Sequence, residues 1–148
     1  LSMNYGYTDA SLAANFLDAS TSPPTVIAAD GERLPGSSKH TFSLLADWRR
    51  PLTEGLDLQA NASYIYSSSR PASLVTGDVG SGFPDVPSAE VTNLSVGVSH
   101  DNGISVSLFA NNLFDARNIQ NRNNQGTALQ SVTMNRPRTI GLRMSYQF

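Results

Sequence analysis

The closing residues of this chain alternate between two chemistries with a period of two. From Ile140 the even positions are Ile140, Leu142, Met144, Tyr146 and Phe148, while Thr139, Gly141, Arg143, Ser145 and Gln147 lie between them. Successive side chains of a β-strand point to opposite faces, so this segment reads as a strand with one apolar and one polar side. An aromatic residue closing such a strand points to a transmembrane barrel, with lipid outside and water inside.

The pattern recurs upstream. In residues 1–8, Met3, Tyr5 and Tyr7 share a face against Ser2, Asn4, Gly6 and Thr8. Residues 39–51 put Phe42, Leu44, Ala46 and Trp48 on one side and Thr41, Ser43 and Asp47 on the other, with Leu45 breaking the polar side. Residues 56–68 alternate Leu56, Leu58, Ala60, Ala62, Tyr64 and Tyr66 with Asp57, Gln59, Asn61 and Ser63. Residues 89–100 align Leu94, Val96 and Val98, and residues 104–115 align Ile104, Val106, Leu108 and Ala110. With the closing segment this makes about six strands.

Their connections come in two kinds. Thr53-Glu54-Gly55 and Asp101-Asn102-Gly103 are tight turns, the second carrying the Asn-Gly hairpin signal. Residues 9–38, 69–88 and 116–135 are polar loops, longer than most connections in compact domains. Outer-membrane barrels have short periplasmic turns and long extracellular loops, which orients the strands. Charge placement agrees. Asp47 and Asp57 fall on the polar side, and Arg50, Glu90, Arg136 and Arg138 fall at predicted strand ends. A Lys or Arg facing lipid at the bilayer midplane costs ~2–4 kcal/mol. Aromatic residues gather toward both ends, the interfacial depths that amphipathic rings favour.

Composition narrows the alternatives. The chain has 148 residues, 39% of them hydrophobic, and no apolar run near the ~18 residues of a membrane helix. A barrel strand needs only ~9–11 residues, half of them apolar, so a mean hydropathy of -0.24 fits a barrel and a soluble β-sandwich alike. The net charge of -2 argues against a nucleic-acid partner, and the lack of cysteine excludes disulfides and thiolate metal sites. His40 and His100 are predicted at opposite strand ends, which argues against a shared metal site. No Gly-x-Ser-x-Gly elbow is present. The expectation is a non-enzymatic chain without a cofactor.

Binding candidates lie in the last long loop. Asn118, Gln120, Asn121, Arg122, Asn123 and Asn124 offer amides and a guanidinium to a polar ligand. Arg117, Arg122, Arg136 and Arg138 are placed to pair with lipopolysaccharide phosphates, and Arg143 to line a lumen wall.

Several of these segments resemble one family. Asn111-Asn112-Leu113-Phe114-Asp115, then a polar loop, Arg136-Pro137-Arg138-Thr139-Ile140-Gly141 and a closing Tyr146-Gln147-Phe148, look like the C-terminal end of TonB-dependent outer-membrane receptors. Gly31-Glu32-Arg33-Leu34-Pro35-Gly36 and Trp48-Arg49-Arg50-Pro51-Leu52 resemble that family as well. The resemblance implies an all-β, antiparallel transmembrane barrel of 22 strands in the bacterial outer membrane, with a plug domain in its lumen. It implies TonB-driven import of a scarce nutrient: siderophore-iron, haem, cobalamin or carbohydrate. Residues 1–148 would supply about the last six strands, without the plug or TonB box, as the C-terminal part of a longer receptor. Gly141, Met144, Tyr146 and Phe148 resemble the signal read by the barrel-insertion machinery. The implied partners are outer-membrane lipid and lipopolysaccharide, the rest of the receptor, and the TonB system through the plug. A passive porin-like barrel and a soluble β-sandwich binding module stand as alternatives.

Overall fold

The structure, a computed structural model, describes residues 1–74, 84–124 and 130–148, with side chains for all of these except residues 123, 124 and 130. Among them there are ten strands and no helix: β1 (Ser2–Tyr7), β2 (Phe16–Asp18), β3 (Thr25–Ala28), β4 (His40–Thr53), β5 (Leu56–Ser67), β6 (Ala89–His100), β7 (Ile104–Asn111), β8 (Ile119–Asn124), β9 (Gln130–Met134) and β10 (Thr139–Tyr146). Six form one antiparallel sheet in the order β1-β4-β5-β6-β7-β10. The remaining four make two small hairpins, β2–β3 and β8–β9, inside long connections.

The register turns the alternation of single strands into rows that cross the sheet. One row is Ala46, Ala62, Leu94, Ala110 and Ile140; the next is Trp48, Ala60, Val96, Leu108 and Leu142. A third holds Arg50, Leu58, Val98, Val106 and Met144. The rows between them are Asp47, Asn61, Ser95, Phe109 and Gly141, then Arg49, Gln59, Gly97, Ser107 and Arg143. A slip of one residue in any strand would exchange its two faces, so the apolar rows fix the pairing.

The polar rows are knitted across strands. Arg49 pairs with Asp57 at 3.0 Å, Gln59 donates to Ser99 at 2.6 Å, Asn61 donates to Asp47 at 3.2 Å, and Ser105 and Ser145 hydroxyls lie 2.6 Å apart. Cross-strand pairs of this kind stabilise a sheet by roughly 0.2–1 kcal/mol each. The apolar rows are bare by contrast. Leu108 is 58% exposed and Leu142 64%, and the only buried hydrophobic residues among those described are Ala28 and Val86, both in connections. Apolar surface on this scale calls for a non-aqueous neighbour.

The short turns are tied to their neighbours. Gly55 and Gly103 adopt φ of 74° and 88°, the left-handed region that glycine enters without penalty. The amide of Asp101 donates to the Gly55 carbonyl at 2.9 Å, and that of Gln147 to the Gly103 carbonyl at 2.9 Å. A Cβ on Gly103 would collide with the Gln147 carbonyl oxygen. At the other end, β1 pairs only with β4 and β10 only with β7, so the sheet is open at both edges among the described residues.

Three expectations need correction. The fifth strand stops at Asn111 rather than running to residue 115, because Asn112 and Asp115 both take φ of 52° and cannot extend a ladder. The connection over residues 9–38 holds the β2–β3 hairpin and a bridge between Ser11 and Arg33. The connection over residues 116–135 holds the β8–β9 hairpin, in which Asn121 pairs with Thr133 and Arg122 with Val132.

Candidate functional site

The long-loop end of β6, β7 and β10 is closed by a clasp centred on Asn112. This residue is 4% exposed, and buried amides require partners. Its backbone N–H donates to Asn93 Oδ1 at 3.0 Å. Its Nδ2 donates to the carbonyls of Ala116 and Arg136, each at 3.0 Å, and its Oδ1 accepts from the Ala116 amide at 2.9 Å. One side chain thereby holds the exit of β7 against the entry of β10.

Asp115 fastens the same junction from outside. Its Oδ1 accepts the Arg138 amide at 2.8 Å, and its Oδ2 meets Arg117 Nη2 at 3.1 Å. The Arg138 amide, helped by the Arg117 guanidinium, holds this carboxyl below the usual carboxylate range. Leu113 donates its amide to the Thr92 carbonyl at 2.8 Å, which adds β6 to the junction.

The hairpin beyond is tied at its base. Asn118 donates its amide to Asn135 Oδ1 at 2.9 Å and receives the Asn135 amide at 3.0 Å. Asn118 Nδ2 donates to the Glu90 carbonyl at 2.6 Å. Arg70, from the preceding long connection, donates to the Gln120 carbonyl at 2.6 Å.

The six ligand-loop candidates therefore differ in what they offer. Asn118 already donates from Nδ2 to the Glu90 carbonyl in β6. Gln120 and Asn121 are exposed, whereas Arg122 is half-buried with its Nε lacking a hydrogen-bond partner among the described residues. Asn121 and Arg122 are consecutive in β8 and so point to opposite faces. The side chains of Asn123 and Asn124 lie outside the described part.

The other singled-out residues fall as follows. His40 opens β4 at the long-loop end and accepts or donates across 2.8 Å to Tyr5 Oη, while His100 closes β6 beside the short turns. They share no site. Gly141 lies under the Phe109 ring, and Arg143 stands 5.5 Å from the centroid of that ring. Arg143 also borders a depression on the polar face with Asp47, Asn61, Ser95 and Asn111. Met144, Tyr146 and Phe148 are exposed on the opposite face of β10, with the last two rings 6.3 Å apart. No group of three or more metal-ligating side chains occurs among the described residues.

The sequence alone gives Asn93, Asn112 and Asn135 no role in a clasp, yet these residues build it. Their signal was present in the type: asparagine tolerates positive φ and bonds to nearby main chain. Among known proteins, the family model described as TonB dependent receptor-like, beta-barrel, matches residues 1–113. Searches of curated proteins and of solved structures found no match.

Proposed function

The chain belongs to the TonB-dependent receptor β-barrel family, and on that premise we propose that its main sheet is an arc of the wall of an outer-membrane nutrient importer. The apolar rows face lipid and the polar rows face the lumen. The Glu54–Gly55 and Asp101–Gly103 turns lie in the periplasm, and the connections with the two hairpins lie outside. Further strands, to a total of 22, would continue from the free edges of β1 and β10. Unpaired backbone groups are not tolerated in hydrocarbon, so an isolated arc of this kind would not insert as a functional monomer.

The observation that carries the reading is the agreement of the apolar rows across five of the six strands of the sheet, β4, β5, β6, β7 and β10. A plug domain elsewhere in the receptor would fill the lumen and couple to the TonB system. The cargo class is a scarce nutrient such as siderophore-iron, haem, cobalamin or carbohydrate. The exposed part of the β8–β9 hairpin, with Gln120 and Asn121, would give it first contact.

Two measurements test this on the full-length receptor. Nitroxides at Leu108 and Leu142 should be accessible to oxygen and shielded from dissolved nickel complexes, while one at Ser107 should show the reverse. Uptake of the cargo should stop when TonB coupling is removed. Wet labels at Leu108 and Leu142 refute the wall; uptake that persists without coupling makes the barrel a passive channel.

A further inference from the structure

The β8–β9 hairpin carries one residue too many on its first strand. Ile119 pairs with Met134 and Asn121 with Thr133, so Gln120 is an extra residue in the ladder. A bulge of this kind bends its strand, re-aims nearby side chains and leaves the extra residue unpaired. The carbonyl of that residue is the one that Arg70 Nη2 reaches at 2.6 Å. Gln120 and Asn121, at and beside the bulge, are exposed, and they are the residues that meet cargo first in the wall reading.

Arg70 is itself anchored. Its amide and carbonyl exchange bonds of 3.0 and 2.9 Å with Val86, which is 2% exposed. The residues around it are held by the first long connection. Gly36 donates its amide to the Pro71 carbonyl at 3.0 Å, and Arg33 Nη2 donates to the carbonyls of Ser37 and Ser69 at 3.0 and 3.3 Å. Ser38 Oγ donates to the Ser68 carbonyl at 2.9 Å. Residues 68–71 are thereby a node. The first connection is bonded to them, and the Arg70 guanidinium extends the link to the third.

Resting on the reading of this hairpin as the cargo contact, we propose that Arg70 is a positioning residue for cargo recognition. Its guanidinium sets the tilt of the bulge and holds Gln120 and Asn121 in one orientation. Through residues 68–71 it also ties the hairpin to the first connection. The bond between Asn118 and Asn135 fixes where the hairpin starts. It does not fix the direction in which the hairpin leans, because both residues lie before the bulge. Loops already held in their binding arrangement need not be ordered when a ligand arrives, which raises affinity.

The test uses the full-length receptor in vesicles, with nitroxides at Pro35 and Asn121 and the distance between them read by dipolar spectroscopy. The unaltered receptor should give one narrow distribution. Arg70→Met keeps the main-chain bridge to Val86 and the apolar stem but has no donor. It should broaden the distribution, and the protected amides of β9 should lose about tenfold of their protection against exchange, the scale of one bond from a charged donor. Arg70→Lys, which keeps a cationic donor, should recover most of both. Arg33→Met loosens the first connection alone and should leave β9 protection intact. Either a narrow distribution or full β9 protection in Arg70→Met overturns the proposal. Equal loss of β9 protection in Arg33→Met overturns it too, because the loosening would then be general. A nitroxide pair at Ala46 and Ile140 in the wall should keep its distance in Arg70→Met; a shift there makes Arg70 a folding residue and removes the positioning role. Ascorbate added outside intact cells separates the two levels. An Asn121 label that resists reduction refutes the outward placement of the hairpin, whereas a reduced label with Arg70→Met unaltered refutes only the link.

Discussion

The ring of Phe109 occupies the space that a side chain on Gly141 would need. These residues are direct partners in the β7–β10 ladder, and a Cβ built on Gly141 would stand 2.5 Å from Phe109 Cζ. An aromatic ring that covers a cross-strand glycine restores packing where the glycine offers none. Arg143 at 5.5 Å from the ring centroid adds a cation–π contact, so three residues of the polar face form one unit.

Gly141→Ala in the full-length receptor should therefore be destabilising, but moderately, because the obstructing atoms belong to a side chain that can swing. Gly97→Ala should be worse. There a Cβ would meet Val106 O at 2.6 Å and Ser107 Cα at 2.8 Å, which are backbone atoms within the sheet. Overpacking costs typically about 1–3 kcal/mol, and the two variants are expected at the lower and upper ends of that span. Denaturant titration of the reconstituted receptor measures both; equal losses would show that the Phe109 ring is as immovable as backbone.

Asn112→Ala removes three side-chain hydrogen bonds at a buried site. Leaving the Ala116 amide and the two carbonyls without partners should destabilise the clasp by about 3 kcal/mol. Asn112→Gly loses the same bonds but tolerates φ of 52°, so it should be milder by about 1 kcal/mol. A nitroxide at Arg117 should become mobile in both variants. An immobile label in Asn112→Ala would show that Asp115 alone secures the junction.

The Asp115 carboxyl gives the clasp a pH dependence of defined sign. Its folded-state pKa lies below the unfolded value, mainly because the Arg138 amide bonds to the ionised form. The stabilisation is complete well above the ordinary value of about 3.9 and is lost as pH falls from there through the lower folded value. The protection of the Arg138 amide against exchange, relative to the same amide in an unstructured chain at each pH, should fall over that acidic window and stay level between pH 6 and 8. Asp115→Asn should flatten the acid limb; a limb that survives the substitution assigns it to another group.

Charge on the two faces should have unequal consequences. Leu94 and Ser95 are neighbours near the centre of β6, on an apolar and a polar row respectively. Leu94→Arg should cost ~2–4 kcal/mol in a bilayer, and Ser95→Arg should stay within about 0.5 kcal/mol. Folding titrations into vesicles compare them directly. A penalty at Ser95 equal to that at Leu94 would mean that both faces are dry.

What the sequence revealed depended on which forces act on each segment. The limits of β6 matched the expected residues 89–100, because an apolar face and an Asn-Gly turn left one consistent register. In sequence the β8 strand looks like loop, since Asn121, Arg122, Asn123 and Asn124 carry no alternation; its pairing comes from main-chain bonds and from Asn118 and Asn135 at its base. In sequence Asn112 and Asp115 look like more strand, because Phe114 extends the apolar parity of Ala110. Only their positive φ shows that the chain has turned. The amide-rich loop carried the same ambiguity in its chemistry, because an asparagine that binds main chain and one that binds ligand look identical in sequence.

The bonds that tie the short turns to their neighbours, Asp101 to Gly55 between the two turns and Gln147, just past β10, to Gly103, bear on where added length can be placed. Residues inserted at Gly55 would disturb the Asp101–Gly103 turn as well as their own, and residues inserted at Gly103 would disturb the segment just past β10. At the tip between Asp18 and Thr25, by contrast, added length disturbs a single hairpin. Added length is thereby tolerated at one end of the sheet and resisted at the other.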